Sequence, residues 1–252
     1  MSDKPKSASW KAPAKPSHDE ISGWSDHYFL KTKETIKRFG DREVTYAVFM
    51  RRPVIFAPKL MVEWLEATAA ERRVEFGIKL NYDEGQWVGA GEPLIYITGS
   101  FFHLVDLETL YLQKLGAACV AANNAFTMCV ELPDVSFLAM DARYCTGTEM
   151  ADMMAYAASV GSKAAQNQVG AKGFVGNATR ATANYFGKED GMGTTPHALI
   201  GYAGSTLKAA EMFIETFPDE PLTILPDYYG REITDTLTVC RRFPQMASEG
   251  KL

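Results

Sequence analysis

From Val135 onward the chain alternates short apolar runs with helical stripes, and it does so four times. Val135-Ser-Phe-Leu-Ala-Met reads as a buried strand, and Met150, Met153, Met154, Ala157 and Val160 line one stripe of the helix after it. Gly173-Phe-Val-Gly is a very short second strand, with a helix expected from Ala178 to Phe186. The stretch around Gly191–Thr195 is a weak third strand. Its helix carries Leu207, Ala210, Phe213, Ile214 and Phe217 at three- and four-residue spacing. Leu222-Thr-Ile-Leu is the fourth strand, and Ile233 to Arg242 the fourth helix. Strands that alternate with helices in this way build a parallel sheet with helical crossovers. A complete eight-unit barrel takes about 250 residues, whereas the 118 residues from Val135 to Leu252 suit four units at roughly 30 residues each. The expectation is either an open four-stranded α/β domain or a truncated barrel.

The segment from Ile21 to Pro133-Asp134 has a different texture. Lys31–Phe39 is predicted helical, Val44-Thr-Tyr-Ala-Val-Phe-Met alternates like a strand, and Pro58–Ala70 sets Leu60, Met61, Trp64 and Leu65 at helical spacing. Asp83 to Gly99 is punctuated by glycines and a proline, which suits a small β-rich module. A linker helix follows, with Leu104, Leu107, Tyr111 and Leu115 on one face. The predicted organisation is a disordered tail over 1–20, an irregular α+β N-terminal domain over 21–134, and a partial (β/α) barrel of about four units over 135–252. The fold class is α/β.

Charge and composition narrow the partners. With 26 basic and 31 acidic residues the net charge is −5, which disfavours nucleic acid or an anionic membrane bound by bulk charge. No apolar run approaches the roughly 18 residues of a membrane span, and the polar, Pro/Lys-rich start lacks the apolar stretch of a secretory signal. A cytoplasmic protein is expected. Cys119, Cys129, Cys145 and Cys240 show no C-x-x-C spacing and no adjacent histidine, so reduced thiols are expected rather than a zinc site or a disulfide framework. Histidine chemistry outside the tail is confined to His27, His103 and His197.

Ligands of parallel α/β sheets sit at the carboxyl ends of the strands. Polar residues follow each predicted strand here: Asp141 and Arg143; Asn177, Thr179 and Arg180; Thr194, Thr195 and His197; Asp227, Tyr228 and Tyr229. Several of these segments carry a family resemblance. Ser25-Asp-His-Tyr, Gly91-Glu-Pro-Leu-Ile-Tyr-Ile-Thr-Gly with Leu107-Glu-Thr-Leu, Gly173-Phe-Val-Gly-Asn-Ala-Thr with Phe186-Gly, and Gly193-Thr-Thr-Pro-His-Ala together resemble the nicotinate phosphoribosyltransferases, of the type II phosphoribosyltransferase group. The Gly-Thr-x-x-His segment is the most specific, and the match runs from about Ser25 to Asp227.

The resemblance implies an ATP-coupled enzyme of NAD biosynthesis that joins nicotinate to phosphoribosyl pyrophosphate, giving nicotinate mononucleotide and pyrophosphate, usually as a homodimer. Such a reaction is run by positioning and electrostatics, with Mg²⁺ neutralising the pyrophosphate and ATP as co-substrate. By position, His197 matches the histidine that ATP phosphorylates, and Tyr28 the tyrosine that stacks on the pyridine ring. Thr194 matches a position beside the nicotinate carboxylate. Arg143 matches an arginine near the pyridine and phosphate sites, where a guanidinium fork suits either anion. Asp227 matches the aspartate that ends the fourth strand. Taken residue by residue, Arg143 could equally form a rim salt bridge with Asp141 or Glu149, and Tyr28 could be a core or interface ring. None of these residues is assigned to a metal.

The chain departs from the family at Ala142-Arg143, at Asn177-Ala178-Thr179 and at Asp227-Tyr-Tyr-Gly, where an acidic group is absent. It also lacks the second half-barrel. Two other readings stand beside the first: an enzyme like the decarboxylating quinolinate phosphoribosyltransferase, which shares the β module and barrel, and a truncated non-catalytic remnant.

Overall fold

The computed structural model describes residues 18–252, so the tail expected at 1–20 lies outside the described residues up to position 17. The described chain forms two compact units, one running to Gly191 and the other from Met192 to Leu252. The change of rhythm at Val135 falls inside the first.

In the first unit, helices α1 (His18–Trp24) and α2 (His27–Phe39) precede strands β1 (Glu43–Phe49) and β2 (Val54–Ile55), helix α3 (Lys59–Arg72) and strands β3 (Gly77–Leu80), β4 (Trp87–Val88) and β5 (Pro93–Ser100). The expected β module is present as two antiparallel sheets, ordered β1-β5-β3 and β2-β4. Alternation in β1 turns Val44, Tyr46 and Val48 towards the core, with Tyr46 opposite Ile97 on β5. A short helix α4 (Phe101–Leu104) and a 3₁₀ turn (Val105–Leu107) lead into the long helix α5 (Glu108–Glu131). Strand β6 (Ser136–Ala139), helix α6 (Thr148–Val169) and parallel strand β7 (Gly173–Asn177) follow, as the strand–helix rhythm requires. Ile95, Ile97, Met61, Leu65, Leu107, Tyr111, Leu115, Tyr156 and Ala157 share one buried core. Phe137 and Phe174 face one another across β6 and β7 at 5.4 Å.

The helix predicted over 178–186 is a 3₁₀ segment, Arg180–Phe186. The hydroxyls of Thr179 and Thr182 are engaged with the Asn177 amide and with each other, and such local side-chain bonding competes with a regular helix.

The second unit holds α7 (His197–Ala203), α8 (Thr206–Thr216), a 3₁₀ turn (Asp227–Tyr229), α9 (Glu232–Arg242) and α10 (Pro244–Ser248). The stripe on α8 is present over four of its five predicted positions: Ala210 is buried with Leu222 and Val239, and Leu207, Phe213 and Ile214 pack around them, while Phe217 lies past the end of the helix and is exposed. Ser205 caps the helix by accepting a hydrogen bond from the Lys208 N–H at 3.1 Å. The third and fourth predicted strands are extended segments instead of ladder strands. They do meet: the Thr195 N–H donates to the Thr223 carbonyl at 2.8 Å, and the Leu225 N–H to Thr195 Oγ1 at 3.1 Å. Pro196, Pro221 and Pro226 bound these segments and supply no N–H, so the contact cannot extend into a ladder. The architecture is thus the expected α/β class, with two paired barrel strands and no closed barrel among the described residues.

Candidate functional site

Within the second unit, the pinned segments bring three of the expected residues into one neighbourhood. Thr195 is buried and holds the two segments together, so His197 at the start of α7 meets Asp227 at the end of the other segment. His197 Nε2 lies 2.7 Å from Asp227 Oδ1, with each side chain about half exposed, at 49% and 47%. The hydrogen bond from His197 holds the Asp227 carboxyl below its ordinary range. With Nε2 turned to the carboxylate, Nδ1 is left as the ring nitrogen open to another partner. Tyr228 lies against the imidazole at 5.9 Å between centroids, and Tyr229 stands edge-on to Tyr228 at 4.8 Å. Thr194 is adjacent, its hydroxyl donating to the Thr195 carbonyl at 3.1 Å. The close pairing of His197 with Asp227, 30 residues away, is not visible in the sequence. Thr195, the buried pin, was also absent from the expected set; its only sequence signal was a place beside Thr194 in the Gly-Thr-x-x-His segment.

The other two expected residues belong to the first unit. Arg143 follows β6 in a 3₁₀ turn (Asp141–Tyr144) and is exposed. The salt bridges that could have explained it structurally are not made: Glu149 pairs with Lys114, and Arg143 has no ion-pair partner among the described residues. Tyr28 stands on the outer side of α2, 60% exposed, with its ring 4.2 Å from that of Phe29. Phe29, Lys33 and Ile36 form the buried face of the same helix. The lysine in that apolar face is explained by Asp106, which it meets at 2.6 Å. Arg72 grips the same carboxylate through both terminal nitrogens, at 2.7 and 3.0 Å. Burial by itself would push the Asp106 carboxyl up, but the Arg72 and Lys33 hydrogen bonds outweigh it and leave the group lowered.

Sequence reasoning also missed a groove of about 760 Å³ in the first unit, between Lys59, Glu84, Tyr156, Lys163 and Tyr185. Its floor is the Tyr156 hydroxyl, which donates to Glu84 and accepts the Lys59 N–H at 3.0 Å. These residues lie almost 100 positions apart at the extremes, so no local pattern signals them. Neither Tyr28 nor Arg143 lines it. Among the described residues no group of three or more His, Cys, Asp or Glu gathers in metal-binding range, and no helix is long and apolar enough to cross a membrane.

No family model matches the chain, and no curated protein matches it. Solved structures do. Nicotinate-nucleotide pyrophosphorylase from Pyrococcus furiosus superposes with a TM-score of 0.68 at 24% identity, over 92% of this chain and 57% of that one. Human nicotinic acid phosphoribosyltransferase gives 0.57 at 19% identity, over 72% of this chain and 41% of that one. Nicotinate-nucleotide pyrophosphorylase from Ehrlichia chaffeensis gives 0.59 at 14% identity, over 88% and 73%. The chain shares their fold. It spans 57% and 41% of the lengths of the first two.

Proposed function

We propose that this chain contributes to phosphoribosyl transfer onto a pyridine carboxylic acid, yielding nicotinate mononucleotide and pyrophosphate in NAD biosynthesis. The observation that carries this is the shared fold, since each of the three compared enzymes is named for nicotinate or its nucleotide. Arg143 supports it from the first unit as an exposed guanidinium with no ion-pair partner among the described residues, suited to a substrate carboxylate or phosphate. Tyr28 would offer an aromatic face to the flat ring. The pyridine nitrogen attacks the anomeric carbon as pyrophosphate departs, and the protein's part is to orient the ring and stabilise the separating charges. Mg²⁺ would be carried on the pyrophosphate oxygens, as this ion commonly is, and among the described residues no group of three or more His, Cys, Asp or Glu gathers to hold it.

The pyrophosphorylase names favour the quinolinate-type acceptor over nicotinate. The His197–Asp227 pair favours the second reading, an ATP-coupled nicotinate enzyme. Asp227 accepts from Nε2 and orients the imidazole, leaving the Nδ1 lone pair to take the γ-phosphoryl group of ATP as ADP leaves. A homodimer and a cytoplasmic setting belong to either reading as expectations.

The test is direct. The purified chain is incubated with phosphoribosyl pyrophosphate and Mg²⁺ plus quinolinate or nicotinate, with and without ATP, and nicotinate mononucleotide is quantified. Product and CO₂ from quinolinate without ATP support the first acceptor. ATP-stimulated product from nicotinate, with acid-labile phosphate lost in His197→Ala, supports the second. No product and no binding of either acid leaves the non-catalytic reading.

A further inference from the structure

We infer that Thr109 is a positioning residue for Tyr28, acting through a reciprocal hydrogen-bonded clasp with Asp26. The inference rests on the reading of Tyr28 as a face for the pyridine ring. Two sequence segments that the proposed chemistry leaves without a task, Ser25-Asp26 and Leu107-Glu-Thr-Leu, are tied to one another in the fold. The Asp26 N–H donates to Thr109 Oγ1 at 3.0 Å, and the Thr109 hydroxyl donates back to Asp26 Oδ2 at 3.0 Å. The Ser25 hydroxyl donates to the Asp106 carbonyl, and to the Ile21 carbonyl at 3.0 Å.

What this clasp does follows from what Asp26 does not do. Asp26 occupies the N-cap position of α2, where an aspartate normally accepts from N–H groups of the first helical turn. Its side chain makes no such cap hydrogen bond. The carboxylate is turned outward to α5 instead, so a local contribution to helix stability is given up for a tie to a distant element. The Asp26 carbonyl meanwhile accepts the Phe29 N–H at 2.9 Å, so the orientation of Asp26 is transmitted to the first turn of α2. Tyr28 lies in that turn. Among the described residues no hydrogen bond holds its hydroxyl, so the ring direction depends on the backbone below it and on contact with Phe29. Phe29 anchors the first turn in the buried cluster with Ile36 and Val105, and Lys33 holds the next turn. Losing the Thr109 hydroxyl therefore loosens the Asp26 end of the first turn, on the side that carries Tyr28, and leaves the helix docked.

The experiment uses the full chain, with nicotinate and quinolinate as probes in calorimetric binding, and a melting curve for each variant. Thr109→Val removes both hydrogen bonds with little change of shape; Thr109→Ser restores them; Asp26→Ala breaks the clasp from the other side. An aromatic ring contact is worth at most about tenfold in affinity. We expect Thr109→Val and Asp26→Ala each to weaken binding by about threefold to tenfold, Thr109→Ser to recover it, and Thr109→Val to add nothing in a Tyr28→Ala background. A melting temperature lowered in Thr109→Val with wild-type affinity would reduce the clasp to a structural tie and overturn the inference. So would equal losses from Thr109→Val with and without Tyr28. If Tyr28→Ala binds as tightly as wild type, the reading of Tyr28 fails and takes this inference with it. If Tyr28→Ala binds weakly and Thr109→Val does not, the inference alone fails.

Discussion

Replacing Gly161 by alanine tests the packing at the centre of the first unit. The glycine lies midway along α6 where that helix crosses α5. A Cβ built there would lie 2.9 Å from the Phe126 nitrogen and 3.0 Å from the Ala122 carbonyl carbon, and closer still to the Ala122 oxygen. Non-bonded heavy atoms in good contact stand about 3.5–4.0 Å apart, and the Ala122 oxygen is the nearest of the three, so the helices must part by more than about 1 Å. All three neighbours are backbone atoms, which cannot swing aside as a side-chain tip would. Alanine in a helix interior is worth about 1 kcal/mol over glycine. Overpacking a close-packed core costs about 1–3 kcal/mol and sometimes more, and a backbone clash belongs at the upper end. The net expectation is a loss of about 2 kcal/mol or more, a fall in melting temperature of roughly 4–8 °C for a chain of this size. Gly116→Ala is the matched control, because on α5 its Cβ would meet only the Met50 methyl at 3.9 Å. That variant should be neutral or more stable by up to about 1 kcal/mol. Melting curves followed by far-ultraviolet circular dichroism decide the matter. If Gly161→Ala melts at or above the wild type, the close approach of α5 and α6 is refuted.

Asp106→Asn leaves the Lys33 and Arg72 charges without their shared carboxylate in a buried setting, and should cost about 3–5 kcal/mol in chemical denaturation. Since the Asp106 carboxyl is lowered in the folded state, its contribution is present above the ordinary carboxylate range and lost as pH falls through the lowered value. His103 is lowered by burial first and then by the Arg72 and Lys33 charges, so the fold favours its neutral form. Stability should fall as pH drops below the ordinary histidine value of about 6.5, and His103→Gln should flatten that part of the urea-midpoint profile. Cys119 and Cys129 are buried, and burial pushes the Cys119 thiol up to about 11. Thiol titration at mildly alkaline pH should therefore count at most Cys145 and Cys240 in the native protein and all four in urea.

Periodicity made the elements legible, because a buried helix face or strand face leaves a repeat in the chain itself. The stripe on α8, the alternation in β1 and the β-rich module between 83 and 99 could all be read in advance. The same code failed for the third and fourth strands. The third was weak in the sequence and the fourth had an adequate apolar run, yet a strand exists only when a neighbour accepts its ladder, and prolines at 196, 221 and 226 withhold the donors.

Site residues were legible by type and not by relation. His197 and Asp227 could be named from their segments, but their 2.7 Å contact depends on Thr195 pinning two stretches of chain together. A lysine on the apolar face of α2 makes no sense until Asp106, 73 residues further on, is brought beneath it. Arg143 makes no ion pair among the described residues, because Lys114 has taken the neighbouring Glu149. The sequence alone thus determined which faces must leave water, since apolar burial is additive along a local repeat. Which charges pair and which hydroxyls clasp was decided by tertiary structure, because those energies depend on the distance between groups that the chain itself holds far apart.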